Sequence, residues 1–219
     1  MRSASLIKLF IMVEAFEQIK TNQLDPAATI AVTEKDLVVG AGILQELPVG
    51  TSHTVSSLID LMITESDNIA TNLLIDRLSM STINARVNSL GCADTILRRR
   101  MMDFAAAAAG RENMTSVRDI IGLLTRLYNS DCVSYDADIA MCAILGRQTD
   151  RCKIPLLLPT SVTCQHKTGE LPGAEHDAGI IHTPNGAYIV AFMSDDLPDP
   201  ERGRQVIANL SRAIYDWYE

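Results

Sequence analysis

The hydrophobic pattern of this chain changes period at Pro159, and that switch restricts the folds open to it. Before it, apolar residues recur at helical steps: Leu6, Leu9, Phe10, Val13 and Phe16 predict an amphipathic helix from about Ser5 to Ile19. Leu58, Leu61 and Met62 follow Thr54, an N-cap residue; the pattern breaks at Ser66-Asp67-Asn68, and helix resumes from about Ile69 to Leu78. Ser81 to Leu90 repeats the period and ends at Gly91, a helix-stop residue, Ser116 caps a run through Ile120, Leu123, Leu124 and Leu127, and Ala105 to Ala109 is helix-compatible. After Pro159, short β-prone runs at Val162 to Lys167, Ala178 to Thr183 and Ala187 to Ser194 lie between Gly, Pro and Asn residues, with Thr183-Pro184-Asn185-Gly186 as a hairpin turn. The segment Glu201 to Tyr218 returns to helix and places Val206, Ile207, Leu210, Ile214 and Trp217 on one face suited to covering a sheet. The pattern predicts an almost wholly helical first two thirds, to about residue 158, then a small sheet and a covering helix.

Composition narrows the functional classes. At 219 residues, 47% hydrophobic and 21% charged, the chain is long enough for one domain or two packed lobes with a substantial core. It carries 19 basic against 27 acidic residues and no basic block to track phosphates, so nucleic acid is not the expected partner. No apolar run approaches the ~20 residues of a membrane span, and MRSASLIKLF shows no cleavable signal. Cys92, Cys132, Cys142, Cys152 and Cys164 are odd in number and lack CxxC spacing, which predicts mostly buried thiols, with at most one or two bridges, and no zinc cage.

Three short motifs carry chemistry. Ser5-Leu6-Ile7-Lys8 puts a hydroxyl and an amine one turn apart on one helix face, and a lysine whose pKa is lowered by burial near other cations can take a serine proton. Alone, this spacing arises by chance in many helices. Ser66-Asp67-Asn68, in a helix break, offers a hydroxyl and an amide to a cleft; singly it reads equally as a helix cap. Lys167-Thr168-Gly169 ends a β-prone run with a cation, a hydroxyl and a glycine that lets a substrate lie against a strand edge; singly it is an ordinary strand exit.

In this order the three motifs form the SxxK, SDN and KTG set, and the chain resembles the class A serine β-lactamase family over essentially its whole length. Leu61-Met62-Ile63, Ala70 and Asn72 extend the likeness around the second motif, and Ser3-Ala4-Ser5 with Leu9-Phe10 around the first. The resemblance implies a β-lactamase/transpeptidase-like α+β fold, a helical lobe plus an antiparallel sheet flanked by helices. It implies Ser5 as the acylated nucleophile, Lys8 as its proton partner, and Ser66 as relay to the leaving nitrogen. Asn68 would position the substrate, Lys167 and Thr168 would bind its carboxylate, and Gly169 lies at the strand edge. The backbone N–H groups of Ser5 and Glu170 would form the oxyanion hole, each such donor worth on the order of 10²–10³ in rate. No metal or organic cofactor is implied. A monomer acting on a small molecule, outside the cytoplasm, follows from the same resemblance.

The chain also departs from that family. In the loop Leu97 to Phe104, Met101 falls where family members carry the glutamate that activates the deacylating water, and a thioether cannot take a proton; Asp103 or Glu112 would substitute only in a differently folded loop. Glu170 stands where a small residue is usual beside the carboxylate site and would repel an anionic substrate. Ala187 to Ser194 lacks the arginine that often assists there, leaving Arg151 or Lys153 to reach in from the preceding loop. The Arg98 to Arg100 run is expected to pair with Glu112, and Met101 and Met102 to line core or pocket. His166, Glu175, His176 and Asp177 are expected to be structural or at a polar rim, not a metal site. The family's N-terminal helix and two strands have no counterpart before Ser5, so three sheet strands are expected where the family has five, with Ala187 to Ser194 as an apolar edge.

Three readings follow. The first is a hydrolase that opens β-lactam amides through an acyl-Ser5 intermediate, an antibiotic-resistance activity. The second, motivated by Met101, is a penicillin-binding or sensing module that acylates without turnover. The third, motivated by Glu170, is a D,D-peptidase or esterase with the same machinery.

Overall fold

The computed structural model describes residues 1–219. In chain order, a 3-10 turn Ala4–Ile7 runs directly into α1 (Lys8–Lys20), followed by β1 (Thr29–Ala31), β2 (Ser52–Thr54), α2 (Val55–Thr64), α3 (Asn68–Leu78) and α4 (Met80–Ser89). Then come α5 (Phe104–Ala108), α6 (Val117–Tyr128), α7 (Tyr135–Leu145), β3 (Thr163–Leu171), β4 (Ala174–Thr183), β5 (Gly186–Met193) and α8 (Pro200–Tyr218). The fold is the expected mixture of helices and antiparallel sheet.

The helix ends follow local chemistry. Thr54 accepts from the Ser57 N–H, Ser116 from Asp119, Ser134 from Ala137 and Asp67 from Ala70, so each N-cap oxygen takes one of the donors a helix leaves unpaired. The residues of α1 differ from the amphipathic expectation. Leu9 to Ala15 are all buried, including Glu14, which pairs with Arg86 of α4 at 3.2 Å. A helix apolar nearly all round is a central helix, and here it packs against α2, α3, α4 and α7.

The main sheet has the order β3-β4-β5, antiparallel throughout, with β5 at one edge as expected. The central strand begins at Ala174 rather than Ala178. Pro172-Gly173, with Gly173 at φ +74°, forms the preceding turn in the positions that favour a type II turn. The sequence pattern hid this extension because Glu175, His176 and Asp177 are charged or polar, yet all three are buried. Each has a partner: Asp177 lies 2.9 Å from His166 Nδ1 across the sheet, His176 Nε2 lies 2.9 Å from the Arg2 carbonyl, and Glu175 meets Arg204 of α8 at 2.7 Å. They are internal structural groups, not a polar rim.

Two other expectations are corrected. The first two thirds also contain the short β1–β2 pair, and the connection between its strands reaches the Ser66-Asp67-Asn68 turn. On α8, Ile207 and Ile214 pack against the sheet side as expected, joined by the buried Gly203, Ala208 and Ser211, whereas Val206, Leu210 and Trp217 are exposed. The small residues let helix and sheet approach closely, and the three exposed apolar residues are rotated off that contact. Val206 and Leu210, with β5 and Leu197, line an apolar groove of about 440 Å³. No helix is long and apolar enough to cross a membrane, and all five cysteines are free.

Candidate active site

The three motifs converge on one cleft of about 400 Å³ between the helices and the free edge of β3. Ser5, Ser66, Asn68, Thr168, Gly169 and Glu170 line it, while Lys8 and Lys167 are fully buried beneath it. The groove beside α8 is of similar size but carries no such constellation, and it lies along β5, the opposite sheet edge.

Ser5 sits in the 3-10 turn, half-buried. The preceding chain is pinned by the Ser3 N–H donating to the Asn113 carbonyl at 2.8 Å and by the Thr115 N–H donating to that of Met1 at 3.0 Å. Ala4 is held at φ +46° between these anchors and the turn. Ser66 (φ +53°) and Met102 (φ +62°) are also left-handed, and all three line the cleft. Such strained non-glycine positions gather where surrounding structure fixes an unusual backbone.

Lys8 Nζ donates to the Ser66 carbonyl at 2.6 Å, to Ser66 Oγ at 3.1 Å and to Asn68 Oδ1 at 3.0 Å. Lys167 Nζ donates to the same Ser66 Oγ at 3.0 Å and to the Thr168 carbonyl at 2.9 Å. Burial holds the Lys8 pKa well below the ordinary lysine value, and the neighbouring Lys167 adds to the effect. Burial likewise lowers Lys167 to about 7, against the opposing pull of Asp177. Two amines that lose protons readily thus share one hydroxyl.

In the second motif both readings are realised, on different residues. Asp67 is the cap of α3, and its other oxygen accepts from the Leu44 N–H at 2.8 Å. Ser66 and Asn68 face the cleft. Asn68 also donates from its backbone to the Ala41 carbonyl at 3.0 Å. Gly42, at φ +118°, lies so close that a Cβ there would collide with Asp67.

The third motif meets the first directly. A Cβ on Gly169 would lie 3.2 Å from the Ser5 nitrogen and from Ala4 Cβ, so the strand edge and the Ser5 backbone approach as closely as a glycine permits. Glu170 is the next residue. Its half-exposed carboxylate meets the fully buried Lys153 ammonium at 2.6 Å, and Lys153 also contacts Glu175 at 3.1 Å and Asp150 at 3.3 Å. Of the two candidates for reaching in, Lys153 does so and Arg151 stays exposed. Burial works against the Lys153 charge, yet Asp150, Glu170 and Glu175 together raise its pKa above the ordinary value.

On the far wall, Met101 is buried and lines the cleft. Asn72 accepts from the Met101 N–H at 2.8 Å and donates to its carbonyl at 3.1 Å. Neither carboxylate nearby is free to replace a base: Asp103 caps α5, and Glu112 pairs with Arg99 at 2.7 Å. Asp150, Cys152 and Glu170 bring ligand atoms within 4.8 Å of one another. However, the Lys153 ammonium already engages both carboxylates, and burial pushes the Cys152 thiol up to about 12, leaving it a poor metal ligand. Sequence reasoning missed Asp150 and Glu65 as cleft residues; only the Asp150–Lys153 spacing hints at the first, and nothing marks the second.

A profile described as the β-lactamase enzyme family matches residues 1–218. A β-lactamase of Bacteroides uniformis is 26% identical over 177 residues, covering 74% of this chain and 60% of its own length. Among solved structures, the β-lactamase of Sphaerobacter thermophilus superposes with a TM-score of 0.92 at 29% identity, over all of this chain and 83% of that one. A penicillin-G acyl-enzyme of the L158E variant of PBP-A superposes at 0.89 with 28% identity, over 99% of this chain and 81% of that one. The chain thus spans less than two thirds of the length of the first relative.

Proposed function

Because this chain belongs to the β-lactamase enzyme family, we propose that it is a serine hydrolase that opens β-lactams through an acyl-Ser5 intermediate. One observation carries the reading: Ser66 Oγ is shared by Lys8 and Lys167 in the cleft that Ser5 lines. Burial and the neighbouring Lys167 favour the neutral form of Lys8, and as a neutral amine it takes the Ser5 proton as Oγ attacks the lactam carbonyl. Ser66 passes its proton to the lactam nitrogen as the C–N bond breaks and takes one in turn from the Lys8 ammonium, 3.1 Å away, while Lys167 supports that hydroxyl. Ser5 and Glu170 N–H groups receive the oxyanion; the close approach at Gly169 supports that pairing. Asn68 orients the substrate amide and Thr168 donates to its far end.

Met101 favours the version of this activity in which acylation outruns hydrolysis. It stands in the cleft without a group that can take a proton from water. The whole chain acts as one catalytic unit, because the helical part to about residue 158 supplies Ser5 and Ser66 and the later part supplies Lys167. Action as a monomer outside the cytoplasm is the setting that the family's habit suggests.

Intact-protein mass spectrometry after incubation with a penicillin tests the proposal. One acyl adduct per chain that decays slowly is expected, with none on Ser5→Ala. No adduct on the wild-type chain, or an adduct persisting on Ser5→Ala, overturns it.

A further inference from the structure

Glu170 holds the one fully buried ammonium that borders the cleft outside the Ser66 cluster. The side chain of Lys153 is wholly buried, and the Glu170 carboxylate reaches it from the half-exposed position next to Gly169. Asp150 and Glu175 complete the ring, and Glu175 is further shared with Arg204. A cation meant for an incoming carboxylate would show an unfilled coordination direction toward solvent; on Lys153 that direction is occupied by a carboxylate of the chain itself. The rest of the wall has the same sign. Glu65, Asp150 and Glu170 line the cleft, and the lining's guanidinium, Arg99, is tied to Glu112.

We propose that Glu170 is a specificity residue: by occupying Lys153 it makes the site select acyl donors that are uncharged beside the scissile bond, neutral esters or amides, over those that carry a carboxylate there. The inference rests on Ser5 being the acylated residue. An anionic substrate must either displace Glu170 from Lys153 or lie against its charge, with both costs absent for a neutral one. Attack by Ser5 and departure of the nitrogen are the same for both substrates; only the binding of the far end differs.

The test compares acylation of the chain by penicillin G and by its methyl ester, each rate divided by the compound's own hydroxide-catalysed rate. The wild-type chain should favour the ester by about tenfold or more. Glu170→Gln should reduce that preference by about tenfold, the reaction with the acid gaining relative to that with the ester. Equal normalised rates in the wild-type chain, or a preference that Glu170→Gln leaves unaltered, overturn the role of Glu170 while leaving Ser5 as nucleophile. Failure of both compounds to label the wild-type chain overturns the Ser5 reading and this one with it. The wild-type ratio needs no variant, so poor folding of Glu170→Gln would not rescue the proposal.

Discussion

Asn72 holds Met101 by both sides of its peptide, accepting from its N–H at 2.8 Å and donating to its carbonyl at 3.1 Å. The side chain at 101 is therefore fixed at the cleft wall by a helix residue, whatever that side chain is. Met101→Glu should place a carboxylate there without moving the loop. The lifetime of the acyl-enzyme should then fall by about 10²–10⁴-fold, the usual worth of general-base assistance. An unchanged decay, followed by mass spectrometry, would mean that water is activated elsewhere.

Removing the clamp should have a different signature. Asn72→Leu leaves a buried N–H and a buried carbonyl of Met101 without partners, at about 1–3 kcal/mol for each. Urea unfolding should report a loss in that range or above it. A loss under about 0.5 kcal/mol, the ordinary scatter of neutral substitutions, would show that the loop is held by other contacts.

Lys167 predicts a pH dependence of stability. Burial lowers its pKa in the folded chain to about 7, so between there and the ordinary value of 10.5 the unfolded chain binds more protons. Its contribution to stability must rise with pH over that span. Burial raises the cysteine thiols to about 11 or 12, and those oppose the trend only above their ordinary value of 9.0. From pH 7 to 9, the stability of the wild-type chain minus that of Lys167→Met should therefore climb. A flat difference in urea titrations would refute the assignment.

Gly42 offers a steric test of the second motif. Its φ of +118° and its contact with Asp67 leave no room for a methyl group. Gly42→Ala should push Asp67 away from the α3 N-terminus and the Leu44 N–H, costing about 1–3 kcal/mol for cap loss and backbone strain. Acylation of Ser5 should slow as well, because Ser66 and Asn68 flank Asp67. Normal acylation by a stable variant would show that the turn tolerates displacement.

Much of this was legible in the sequence because it rests on local signals. Thr54, Ser116 and the Thr183-Pro184-Asn185-Gly186 turn act within a few residues of themselves, and the three motifs name the groups that meet at Ser66. What stayed hidden depends on distant partners. The start of β4 was masked because Glu175, His176 and Asp177 are buried through pairing with Arg204, Arg2 and His166, and hydropathy scores each residue alone. Part of the α8 face escapes a search for bulky apolar residues, because Gly203, Ala208 and Ser211 make the contact beside Ile207 by being small. The capture of Glu170 by Lys153 joins residues with no periodic relation, and only folding brings them together.

The two edges of the three-stranded sheet have different duties. Lys167 and Gly169 of the candidate site lie on one edge strand, β3, the apolar-flanked strand β5 forms the other edge, and β4 lies between them. Chains that stick together through β5 would leave each mouth of the cleft facing solvent. Turbidity in a concentrated solution would then rise without any fall in the number of titratable serines per mole, so an active-site count, and not clarity of the sample, is the proper gauge of a good preparation.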